Sequence, residues 1–143
     1  MKKILLSPFV AASIFYFSTI KKMPEALSIN SAHDIVYSES GEQLFTLTFF
    51  RDTIGHFFFY ALFAFTLFFD LRRCWSKMSP QKQNCITLAI PIGFGIFMEF
   101  VQKYLFPPRA FEWSDIMANS FGCILGFLIA RYYNKRKAKK SIQ

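Results

Sequence analysis

A carboxylate, an imidazole and a phenol recur at four-residue steps in Asp52-x-x-x-His56-x-x-x-Tyr60. On a helix that spacing lines one face. Groups of these types can hold, donate or accept a proton. Gly95, Glu99 and Gln102 share a face of a second helical stretch, and Asp115, Asn119, Gly122 and Gly126 fall at i, i+4, i+7 and i+11 of a third. Between those two stretches Arg109 follows Pro107-Pro108, a stiff turn presenting a guanidinium. Such a group binds a carboxylate or phosphate through two parallel hydrogen bonds. The candidate ligand-binding set is therefore Asp52, His56, Tyr60, Glu99, Gln102, Arg109, Asp115 and Asn119. Three kinds of work fit it. It could bind a polar headgroup, run acid–base chemistry through Glu99 or His56 with Arg109 facing developing charge, or only hold helices together. The chain has no G-x-S-x-G and no H-E-x-x-H to supply a familiar nucleophile or zinc site. His56 is the one histidine in these stretches, so any metal would see mostly carboxylates. Neither a metal nor a cofactor is expected.

The elements that must position these residues are apolar blocks. Ile4–Ile20 is 17 residues without a charge, Thr53–Phe69 is interrupted only by His56, Ile86–Gln102 holds the single charge Glu99, and Ile116–Ala130 follows Ser114–Asp115. Each lies near the lower end of the roughly 17–25 residues that cross a bilayer core. The 143-residue chain is 53% hydrophobic, with 20 Phe. That excludes a disordered chain, which is poor in aromatics, and disfavours a small water-soluble globule. The expected fold is a single all-α membrane domain over residues 1–143, a bundle of four short transmembrane helices. The first block, flanked by Lys2-Lys3 and Lys21-Lys22 without a small-x-small cleavage site, is read as a retained anchor and not as a cleaved signal. Pro91 and Gly93 weaken the first half of the third block. In the long loop after the first block, Ile35–Ser38 and Gln43–Thr48 flank a Gly-containing turn. These β-rich runs predict a small β-hairpin.

The placement of charge decides what the basic balance means. The chain has 17 Lys+Arg against 9 Asp+Glu, a formal net charge of +8. With both termini on one side, twelve of the seventeen cations fall on that side, including the tail Arg131–Lys140 within residues 131–143. The positive-inside rule then predicts cytoplasmic termini in a cytoplasmic (inner) membrane. The tail lies against anionic lipid, and no nucleic acid is expected as a partner. Cys74 and Cys85 fall on the reducing side, so no disulfide is expected. Gly122-x-x-x-Gly126 suits close helix packing, within the chain or between copies in a homo-oligomer. Four short helices leave little room for a transporter.

The ordered series Asp52-x-x-x-His56-x-x-x-Tyr60, Glu99-x-x-Gln102, Arg109 through Asp115, and Asn119-x-x-Gly122-x-x-x-Gly126 resembles the VanZ-like family of bacterial membrane proteins. It spans residues 52–126. One departure is Thr53, where the family often has Lys. The resemblance implies a small multi-pass membrane protein; Arg109 and the polar residues, not the resemblance, are what point to membrane lipids as partners, an anionic envelope lipid among them. The resemblance also implies a link to glycopeptide resistance, since the family is named after a member tied to low-level teicoplanin resistance. The orientation is testable. Green fluorescent protein fused after Gln143 should fluoresce in cells, and alkaline phosphatase fused there should be inactive; the opposite pattern overturns the charge argument.

Overall fold

The computed structural model describes residues 5–20, 41–105 and 112–140, the side chains of 20 and 41–52 excepted. It is all-α. Four helices follow in order: α1 Ser7–Ile20, α2 Gly41–Cys74, α3 Pro80–Leu105 and α4 Trp113–Lys140. Local chemistry sets their ends. Pro8 sits in the first turn of α1 and Pro80 at the first position of α3, where no backbone donor is needed. Ser79 precedes α3, its carbonyl accepting the Gln83 N–H at 3.1 Å. The Glu112 carbonyl accepts the Asp115 N–H at 3.2 Å and opens α4. Despite Pro91, α3 runs without a break.

Two expectations are corrected. Three helices, not four, are long and apolar enough to cross a membrane: Thr53–Cys74, Pro80–Leu105 and Trp113–Lys140. α1 has 14 residues, so at about 1.5 Å per residue it covers roughly 21 Å, against a hydrocarbon core of about 30 Å. The hairpin is not formed either. Gln43–Thr48 is helical, part of α2, and there is no strand among the described residues; Ile35–Ser38 lies outside them. A strand preference in Phe and Thr is weak and depends on context. Here the run is continuous with a spanning helix. Extending a helix adds one hydrogen bond per residue fixed, with no new nucleus to form.

α2 and α4 run parallel, α3 and α1 antiparallel to them. Gly122 lies against Phe57 and Gly126 against Ala61, while Phe127 meets Phe68 and Tyr133 meets Phe69. Along α3 the order reverses, with Phe94 against Phe63 and Gln83 bonded to the Trp75 carbonyl. α1 lies along α2 from Asp70 to Phe59. Its N-terminus is capped by the buried Asp70 carboxylate, one oxygen of which accepts the Leu6 and Ser7 N–H groups at 2.8 and 2.7 Å, and Phe17 meets Phe59 at the other end. A helix N-terminus leaves its first N–H groups without internal partners and carries positive partial charge. Asp70 answers both.

The distribution of polarity is that of a protein surrounded by lipid. Phe58, Leu62, Phe97, Phe100, Phe121, Leu125 and Leu128 point outward, while Tyr60, Glu99, Gln102, Asp115 and Asn119 are buried. The apolar core is small: Ile14, Tyr60, Phe63, Ala64 and Cys123 in one cluster, Phe68, Phe127 and Ala130 in another.

The α2–α4 contact is backbone on backbone. A Cβ on Gly126 would fall on the Ala61 carbonyl oxygen, and one on Gly122 on the Phe57 carbonyl oxygen. Those atoms belong to a helix and cannot swing aside. Gly122→Ala and Gly126→Ala should each destabilise the detergent-solubilised protein by roughly 1–3 kcal/mol, as overpacking does. Gly55 and Gly93 have nothing within 4 Å of such a Cβ, so Ala there should be neutral or slightly stabilising. Melting temperatures of the four variants decide; equal effects would show that the seam is not this tight.

Candidate functional site: a buried polar cluster

Side chains on a helix lean toward its N-terminus. Tyr60 and His56 on α2 therefore reach back about one turn and meet residues of α4 that start nearer the helix beginnings. Thr53 donates a hydrogen bond from Oγ1 to Asp115 Oδ1 at 3.4 Å. His56 Nε2 stands 3.8 Å from Asp115 Oδ2. That exceeds hydrogen-bond length, so this contact is Coulombic and acts when the imidazole is protonated. His56 also stacks on Tyr60, with ring centroids 6.4 Å apart and planes 19° from parallel.

α3 closes the cluster. Gly95, Met98, Glu99 and Gln102 form its buried face here. At Gly95, side chains of the other two helices close in on α3. A Cβ on Gly95 would lie 3.1 Å from Asn119 Nδ2 and 3.2 Å from Tyr60 Cε1. One turn further, Glu99 Oε2 accepts the Glu112 N–H at 3.3 Å, which ties α3 to the start of α4. Gln102 lies beyond it, with 1% of its surface exposed.

Most of the cluster is sealed from water, and several of its atoms have no partner. Tyr60, Glu99, Gln102, Asp115 and Asn119 are each at most 2% exposed. The Tyr60 hydroxyl, both ends of the Gln102 amide and both ends of the Asn119 amide make no hydrogen bond. Buried polar groups are paired in the great majority of cases, and each exception asks for a cause.

Of the eight residues named from sequence, His56, Tyr60, Glu99, Asp115 and Asn119 are brought together here, and Gln102 is buried on the same face of α3. Asp52 lies on the helical backbone of α2, but its side chain is outside the described residues, as is Arg109 altogether. Thr53 and Met98 were not anticipated. Thr53 stands three residues before His56, so the helical spacing that selected His56 also selects it. Met98 is one of the apolar residues that surround any inward polar face. Among the described residues no three His, Cys, Asp or Glu side chains form a group that could hold a metal ion.

His56, Thr53 and Asp115 should behave as one unit in stability. In a double-mutant cycle of His56→Ala and Asp115→Ala, read by thermal unfolding in detergent, the two losses should fail to add by about 0.5–3 kcal/mol, as contacting polar residues do. Additive losses would show that the pair does not interact.

Comparison with known proteins places this arrangement. A family model described as VanZ/LLP1 matches residues 2–134, wider than the 52–126 series. An uncharacterized protein of Schizosaccharomyces pombe is 34% identical over 93 residues, which are 63% of this chain and 52% of the relative. The chain thus spans about half the length of that curated relative. The likeness extends to a yeast, so family membership alone does not fix a bacterial membrane. No solved structure is matched. Nearly the whole chain falls within the family match, and the chain belongs to the VanZ-like (VanZ/LLP1) family of proteins.

Proposed function

We propose that this VanZ-like protein is an integral membrane protein that binds a lipid headgroup in the polar cluster. The observation behind this reading is the set of unpartnered atoms on Tyr60, Gln102 and Asn119. Each unsatisfied buried group costs about 1–3 kcal/mol. A network that only held helices together would pair these atoms with one another. A ligand that arrives with its own donors and acceptors removes the cost. Arg109 supplies the charge for a phosphate or carboxylate: it precedes Glu112 by three residues in the chain, and the Glu112 N–H is already bonded to Glu99. The cluster faces away from the cytoplasm, and the basic end of α4 lies on the cytoplasmic side. In a bacterial host this reading extends to the inner membrane, to envelope lipids and to the glycopeptide resistance for which the family is named.

Native mass spectrometry of the protein extracted with its lipids tests this reading. The expected result is a lipid that co-purifies with the wild type and is lost from Arg109→Ala, with the variant still folded. A wild type free of lipid, or a lipid retained equally by Arg109→Ala, ends the proposal.

A further inference from the structure

We propose a second lipid contact at the opposite, basic end of the bundle, where the Arg72 guanidinium takes the phosphate of an anionic phospholipid from the leaflet beside it. The contact is independent of the polar cluster. Arg72 lies in the last turn of α2, just before the apolar span ends at Cys74. Trp75 follows it, 48% exposed, and tryptophan collects where hydrocarbon gives way to headgroups. Arg72 therefore stands at the depth of lipid phosphates. A long cation at such a place ordinarily snorkels. Arg72 is instead packed. Its guanidinium lies over the Phe68 ring, 4.5 Å from the centroid, and Phe68 is itself buried against Phe127 of α4. Nε is shut off and has no hydrogen-bond partner, while the two terminal nitrogens are not enclosed with it.

No carboxylate claims this charge. Among the described residues Arg72 makes no ion pair and no hydrogen bond. The chain has no Asp or Glu between Asp70 and Glu99 or between Asp115 and Lys140, and Asp70 is occupied by the Leu6 and Ser7 N–H groups. α4 continues as a helix to Lys140 with its cations exposed. Carrying the Ala61–Gly126 and Phe69–Tyr133 pairings onward puts Arg72 at the level of Arg136 and Lys137. Those cations raise the positive potential, which attracts anionic lipid and repels the ammonium of a zwitterionic one. Arg72 adds geometry: a guanidinium holds phosphate through two parallel bonds, and a stem already ordered loses less freedom on binding. A cation here also complements the helix dipole, but lysine would serve that purpose equally.

The chain has two tryptophans, so Trp113→Phe leaves Trp75 as the one reporter beside Arg72. The full chain with that substitution is reconstituted in phosphatidylcholine vesicles. Phosphatidylcholine, phosphatidylglycerol or phosphatidic acid, each brominated on the acyl chain near the headgroup, is then mixed in. Bromine quenches tryptophan on contact, so the curves give relative affinities beside Trp75. Both anionic lipids should be favoured over phosphatidylcholine by at least about fivefold, the contribution of one lysine or arginine near an anionic surface. Arg72→Gln should lose about that factor, and Arg72→Lys should fail to restore it fully. Arg73→Gln removes the same charge from the next, exposed position. It should cost no more than about twofold, because salt screens an exposed charge. If Arg72→Gln does not fold, Arg72→Lys, which keeps the charge, decides by the same comparison. Equal losses from Arg72→Gln and Arg73→Gln, full preference in Arg72→Lys, or no anionic preference in the parent overturns the site. Preference abolished by inorganic phosphate, but not by chloride at equal ionic strength, assigns Arg72 to a free anion and overturns the lipid contact.

Discussion

The structure depends on one close approach, the seam where Gly122 and Gly126 of α4 lie against the backbone of α2 at Phe57 and Ala61. Lipid gives helices no hydrophobic reason to associate, so association rests on dispersion and close packing. Two missing side chains on α4 let it come nearer to α2 than any larger residue would allow. The seam also sets register. It places Asp115, two turns before Gly122, at the level of Thr53, and puts Asn119 within reach of the same Gly95 neighbourhood as Tyr60. A shift of one residue along the seam would turn Asp115 and Asn119 away from their present neighbours. Structural glycines and polar cluster are thus two faces of one helix contact.

The bundle divides along its length. One end carries the carboxylates, amides, imidazole and phenol described above. The other carries Arg72, Arg73, Lys82, Arg131 and the basic run to Lys140, with Arg136 over the Tyr132 ring. Between them lie the Phe-rich clusters. Polar atoms in the apolar half would cost several kcal/mol each without partners; Thr87 Oγ1 donates to the Gln83 carbonyl and Asp70 accepts from α1.

Much of this was legible in the sequence, for a physical reason. An ionisable or amide side chain inside an apolar block has to turn inward, and the four-residue spacing of Asp115 and Asn119 or His56 and Tyr60 shows that they turn in together. The outcome for Gln43–Thr48 differs because Leu-Phe-Thr-Leu-Thr satisfies a strand pattern and a helix pattern equally, and only its continuity with the following span decides. The first block has the apolar length of a span only when measured from Ile4. In the structure the helix starts at Ser7, where Asp70 ends it. That partner is 63 positions away, and no periodicity within the block could announce it.

The Asp70 cap has a consequence for how the chain is made. α1 leaves the ribosome before α2, at roughly 5–20 residues per second, and its leading N–H groups must then wait for a carboxylate that lies 63 residues downstream of Ser7. Until α2 is nearly complete, the start of α1 has no partner within its own helix for those groups and is better served by water or headgroups than by hydrocarbon. Docking of α1 is therefore a late step: a helix made before α2 is held in its final place by almost the last turn of α2.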